Sequence, residues 1–129
     1  MAYTFDWHTP DRLAVIRIGE TLTLEESQAQ NDFMLPILAA ATQPIHLIID
    51  LTLTHNFPVR LNDKVLASTE YLRHPMLGWV MLINQGANPL LHMVVGVAGK
   101  TMGAKLRFVK SFDEALVSLH KLDLTLEPV

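Results

Sequence analysis

Four residues at the end of one apolar run carry the side chains of an acid–base site: Asp50, Thr52, Thr54 and His55. A carboxylate, a hydroxyl and an imidazole can in principle relay a proton. The run itself, Pro44-Ile-His-Leu-Ile-Ile-Asp-Leu-Thr52, reads as a central parallel strand buried on both faces. Ligands bind beyond the carboxyl ends of the strands in such sheets, which is where these four residues and Asn56 fall. Acyl transfer at a hydroxyl also needs an oxyanion hole and a strained elbow, and no Gly-x-Ser-x-Gly occurs. The competing expectation is structural: Asp50 accepts amides of the next loop, and Thr52 and Thr54 shape the turn. We expect no enzyme, and keep Asp50, Thr52, Thr54, His55 and Asn56 as candidate ligand- or partner-binding residues.

The six histidines (His8, His46, His55, His74, His92, His120) show neither His-x-His nor His-x-x-x-His spacing, and there is no cysteine. A zinc site needs three or four convergent ligands, so no metal and no cofactor is expected. His46 reads as a strand residue with a satisfied ring, and His74 as a helix-end residue favourable to the helix dipole. Lack of cysteine excludes disulfides and thiol catalysis. The opening Met-Ala-Tyr-Thr-Phe-Asp lacks the basic-then-apolar pattern of a secretory leader. Together these set the expectation of a cytoplasmic protein. A net charge of −3 argues against general nucleic-acid binding. Two charge runs stand out: Lys100, Lys105, Arg107 and Lys110 without an acid, and Glu20, Glu25, Glu26 and Asp32 without a base. They read as solvated faces or as a docking surface for an anionic lipid or acidic partner.

The second candidate site is a helix, Asn88 to about Met102, opened by an N-cap asparagine and an N1 proline. It is apolar almost all round, through Leu90, Leu91, Met93, Val94, Val95 and Val97, with Lys100 its only charge. Leu91, Val94 and Val95 are its candidate contact residues. Three readings follow: a helix buried between the sheet and a second subunit, a helix laid in a membrane surface, or a lid on an apolar pocket.

The elements that must position these residues follow in order. Tyr3–Trp7 and Leu13–Ile18 read as an antiparallel hairpin turned at Thr9-Pro10-Asp11. Thr23-Leu-Glu-Glu26 is a capping box opening a helix with Met34, Ile37, Leu38 and Ala41 on one face, which Pro36 should kink or split. Residues 53–58 read as loop and Val59–Arg73 as a helix with Leu61, Val65, Tyr71 and Leu72 inward, stopped by His74-Pro75. Trp79–Ile83 is a second buried strand, Gly103 a helix-ending residue, and Ala104–Val109 the last strand. Ser111-Phe-Asp-Glu114 is a second capping box, and the tail from Asp123 is assigned no structure. The fold class is therefore α/β, one domain over 1–129, with a mixed sheet of about five strands, about four helices and the order β-β-α-β-α-β-α-β-α.

Four stretches in this order resemble STAS domains, the SpoIIAA-like fold of anti-sigma-factor antagonists with its small SEC14-like branch. They are Ile16-Arg-Ile-Gly-Glu-Thr-Leu-Thr23, His46-Leu-Ile-Ile-Asp-Leu-Thr52, His74-Pro-Met-Leu-Gly-Trp-Val-Met-Leu-Ile83 and Arg107-Phe-Val-Lys-Ser-Phe-Asp-Glu-Ala-Leu116. The resemblance implies a non-enzymatic regulatory or protein-interaction module, expected here as a homodimer. A domain for a small apolar or lipid ligand, or for peripheral membrane contact through the helix 88–102, is the alternative. Regulatory members carry a phosphorylatable Asp-Ser-Ser-Gly type segment after the central strand. Here that region reads Leu53-Thr-His-Asn-Phe-Pro-Val-Arg-Leu-Asn-Asp63, without serine, so no phosphosite carries over.

Overall fold

In the computed structural model, which describes residues 3–57, 62–84 and 89–126, the run after Pro44 becomes the middle strand of a five-stranded sheet. Two strands precede it, β1 (Tyr3–Thr9) and β2 (Leu13–Ile18), joined as an antiparallel hairpin. Asp11 takes φ 62° in that turn, a left-handed position that aspartate tolerates better than most residues. The central strand is β3 (Ile45–Asp50), followed by β4 (Leu77–Ile83) and β5 (Lys105–Val109). The spatial order is β1-β2-β3-β4-β5, and every pairing after the hairpin is parallel.

The two-residue period of the strands sorts side chains to two cores. Ile16, Leu47, Ile49, Val80 and Leu82 face one side, Val15, Ile48 and Met81 the other. Both faces of β3 and β4 are buried, which is why these strands read as unbroken apolar runs.

Helix α1 (Leu24–Ala39) and helix α3 (Pro89–Met102) lie on the first face, and α4 (Phe112–Leu122) packs Ala115 and Leu119 onto the second. The capping box at Thr23 and Glu26 is present in both directions. Pro36, expected to kink or split this helix, does not split it. Asp32 and Pro36 are both exposed, so water can meet the Asp32 carbonyl that loses its donor. Ser111 caps α4 through the Glu114 amide, while the Glu114 carboxylate accepts from Lys110 N–H. Gly103 ends α3 at φ +71°. Gly99 sits where α3 meets β5: a Cβ there would lie 1.8 Å from Leu106 Cδ1.

The single helix expected over Val59–Arg73 is instead a short α2 (Asp63–Ala67), capped by Asn62, and a separate 3₁₀ turn at Glu70–Arg73. Residues 58–61 lie outside the described residues. The break comes from Ser68 and Thr69, whose hydroxyls turn back on the Val65 and Leu66 carbonyls at 2.7 and 3.0 Å. Ser68 is further tied to Ser27 of α1 at 2.9 Å. Tyr71 faces inward as expected, with Val65 and Leu72 half-buried. His74 follows the 3₁₀ turn, and its Nδ1 accepts the Met76 N–H at 3.1 Å.

The tail from Asp123, assigned no structure, forms no helix or strand over residues 123–126, yet it is held to the rest of the fold. Asp123 takes a hydrogen bond from His46 Nε2 at 2.7 Å and from Arg12 Nη2 at 2.8 Å, and Leu126 is buried in the α4-side core. Asp123 thus clasps the segment after α4 to the start of β3 and to Arg12.

Candidate functional site

The loop after β3 is stitched down by backbone hydrogen bonds. Asp50 Oδ1 accepts the Thr52 N–H at 2.9 Å, closing an Asx-type turn. His55 and Asn56 amides both reach the Glu20 carbonyl, at 2.9 and 3.1 Å, and Leu22 N–H returns to Asn56 O at 2.8 Å. Thr54 is buried and donates its hydroxyl to Gly19 O at 3.0 Å. The His55 and Asn56 side chains point to solvent, with a long 3.5 Å contact from Asn56 to Thr21 Oγ1. Among the described residues no hydrogen bond joins the His55 ring to Asp50, Thr52 or Thr54. Asp50 is engaged by the Thr52 backbone N–H and Thr54 by the Gly19 carbonyl.

One histidine does pair with an aspartate. His46 is 3% exposed and has both ring nitrogens engaged. Its Nδ1 accepts the Trp79 N–H at 2.9 Å, so Nε2 carries the proton and donates to Asp123. A ring so committed has no free nitrogen to act as a base. Hydrogen bonds from the Thr125 hydroxyl and then from His46 hold the Asp123 carboxyl well below the usual carboxylate range. Gly78 leaves space for the ring: a Cβ there would stand 2.3 Å from His46 Nδ1. Among the described residues no three acidic or histidine side chains could hold a metal ion.

An apolar cavity lies between the first sheet face, α1, α2, the 3₁₀ turn and α3. Its volume is about 130 Å³. Ile18, Ile49, Val80, Leu82 and Leu106 form its floor. Of the eight residues singled out from the sequence, Thr54, Leu91, Val94 and Val95 line it; Asp50, Thr52, His55 and Asn56 do not. Gln30, Tyr71 and Phe57 also line it, and sequence reasoning missed them as site residues. A signal existed for Gln30. Counting back from the apolar face at Met34 and Leu38 by three, four and seven residues reaches Asn31, Gln30 and Ser27, polar side chains at inward positions. Burial pushes ionisation of the Tyr71 hydroxyl well above its ordinary range, so it enters the cavity wall as a neutral phenol.

Helix α3 has two distinct faces. Leu91, Val94 and Met102 are buried, while Leu90, Met93 and Val97, at i, i+3 and i+7, are 46%, 58% and 48% exposed. Its own core therefore covers only the inner half of a helix that the sequence presents as apolar almost all round. No helix among the described residues is long and apolar enough to cross a membrane.

No protein-family model matches the chain, and no curated protein does. Among solved structures it is similar to an uncharacterized protein of the DUF3478 family, with a SpoIIAA-like fold, from Shewanella loihica. The match covers 92% of both chains at a TM-score of 0.65 and 20% identity. The fold is SpoIIAA-like, as the order of strands and helices implied.

Proposed function

We propose that this chain is a non-enzymatic binding module whose ligand is a small, mainly apolar molecule held in the cavity beneath α3. The cavity carries the reading: it is lined mainly by aliphatic and aromatic side chains and is bounded by the sheet and by four separate elements. At about 130 Å³ it is close to the engineered apolar cavity of about 150 Å³ that binds benzene. It therefore suits a single ring or a short chain. Toluene is the direct probe. Methyl resonances of Leu91, Val94 and Val95 should shift saturably in NMR titrations, with a Kd of roughly 0.1–1 mM for so few heavy atoms. Ala98→Leu, which fills the space from α3, should abolish the shifts. Unmoved methyls in the unaltered protein would refute the reading.

The outer stripe of α3 favours a second reading, self-association of two copies of this chain. Leu90, Met93 and Val97 form one row along the helix, as a two-fold interface between identical helices requires. Sedimentation velocity should show a dimer that Met93→Glu converts to monomer with the fold unchanged. A monomer at all concentrations ends this reading, and binding of that monomer to anionic vesicles would assign the stripe to a membrane surface.

A further inference from the structure

Two residues in the cavity wall are polar and have unfinished hydrogen bonding. Gln30 of α1 and Tyr71 of the 3₁₀ turn are each 5% exposed. Their side chains meet only through Gln30 Nε2 and the Tyr71 hydroxyl oxygen at 3.5 Å, the outer limit of a hydrogen bond. Among the described residues nothing donates to Gln30 Oε1 and nothing accepts the Tyr71 hydroxyl proton. Turning the amide over does not mend this: Tyr71 would then donate to the amide oxygen and both Gln30 N–H groups would be left over. The one fully occluded side-chain polar atom without a partner among the described residues is His8 Nδ1, so Gln30 Oε1 is not sealed in and its residue lines the cavity.

The other polar groups of the wall are spent inside the chain. Thr54 donates to Gly19 O, Ser27 is tied to Ser68, and Thr69 donates to Leu66 O. Among the described residues, Gln30 and Tyr71 are thus the one place in the wall where an incoming molecule meets both a donor and an acceptor in want of a partner. Among the described residues no Lys, Arg, His, Asp or Glu lines the cavity. An ionised head group would lose its water there with no counter-charge in reach.

From this geometry we infer that the ligand is a neutral amphiphile, an apolar ring or short chain bearing one hydroxyl or amide group, seated with that group between Gln30 and Tyr71. The inference rests on the cavity being the binding site. A series of matched probes tests it: toluene, p-cresol and 4-methylbenzoate, titrated at pH 7.5 against the methyl resonances of α3. p-Cresol should bind about tenfold more tightly than toluene, because its hydroxyl completes a buried pair, and 4-methylbenzoate at least tenfold more weakly than p-cresol. Gln30→Met, which keeps the volume and removes the amide, and Tyr71→Phe should each bring p-cresol down to the toluene level and leave toluene within about twofold. Equal affinities of toluene and p-cresol in the unaltered protein would overturn the inference while leaving the cavity reading intact. Saturable binding by none of the three would overturn both. Tightest binding by 4-methylbenzoate would overturn the neutral head, and a p-cresol advantage surviving in both variants would overturn its placement.

Discussion

Gly78→Ala sets a methyl group against the ring of a buried, doubly hydrogen-bonded histidine, and its cost can be worked from His46. The added Cβ would lie 2.3 Å from Nδ1 and 2.6 Å from Cε1 of the His46 ring. Normal contact is near 3.5 Å, so the ring must retreat by about 1 Å. It has nowhere to go, being held by Trp79 N–H at 2.9 Å on one side and Asp123 at 2.7 Å on the other. Overpacking alone costs about 1–3 kcal/mol. Weakening the bond to a carboxylate adds about 1.5–3 kcal/mol and that to the Trp79 amide about 1 kcal/mol. These terms overlap, and a loss of about 3–5 kcal/mol is expected, against a typical total of about 5–15 kcal/mol for a domain. Urea unfolding followed by circular dichroism should show the midpoint fall with the slope unchanged, and Tm should drop by roughly 10–20 °C. In a His46→Ala background the same methyl meets empty space, and its cost should shrink below about 1 kcal/mol. A loss under about 1 kcal/mol in the unaltered protein, or an equal loss in both backgrounds, would refute the idea that Gly78 exists to admit the His46 ring.

Three further outcomes rest on the same kind of buried contact. Asp123 has its carboxyl pKa lowered by Thr125 and His46, so the stability it lends is complete above the unfolded carboxylate value near 4 and is lost as pH falls below it. Asp123→Asn should therefore cost roughly 1–3 kcal/mol at pH 7 and flatten the decline of stability below about pH 4; parallel acid limbs in urea titrations would count against the clasp. Asn31 Oδ1 accepts the buried Tyr71 N–H at 2.8 Å, and Asn31→Leu should lower unfolding free energy by about 1–3 kcal/mol, with a change under about 0.5 kcal/mol showing that the amide finds another partner. Gly99→Ala should drive Leu106 into the cavity it lines, lowering toluene affinity at least tenfold in NMR titration while the circular dichroism spectrum persists; unchanged affinity would mean that Leu106 has another way to yield.

The fold is legible in the sequence where one local rule acts alone. Ile45–Asp50 reads as a central strand because burial on both faces removes polar alternation, and the capping boxes at Thr23 and Ser111 announce their helices because a hydroxyl must satisfy an amide three residues on. Legibility fails where distant groups compete with the local pattern. Ser68 and Thr69 break an otherwise helical stretch through bonds that a helix can tolerate on its own, but Ser68 is also claimed by Ser27, 41 residues away. Asp123 looks like a surface acid until His46, 77 residues away, arrives at its carboxylate. The candidate site divides on the same principle. Thr54 was drawn from the loop after β3, and Leu91, Val94 and Val95 from a helix that enters the fold after β4, yet all four line one cavity. Topology brings them together, since loops leaving parallel strands open at the same edge of the sheet. Asp50, Thr52, His55 and Asn56 share that edge but belong to its outer shelf, where backbone hydrogen bonds set the loop. Gln30 and Tyr71 show what remains readable in principle. A polar residue standing at an inward position of an amphipathic helix incurs a desolvation cost that some partner must offset. Asn31 and Ser27 have partners in the Tyr71 amide and Ser68; Gln30, on the same face, has only a 3.5 Å contact, and that shortfall is what separates a binding residue from a packing one.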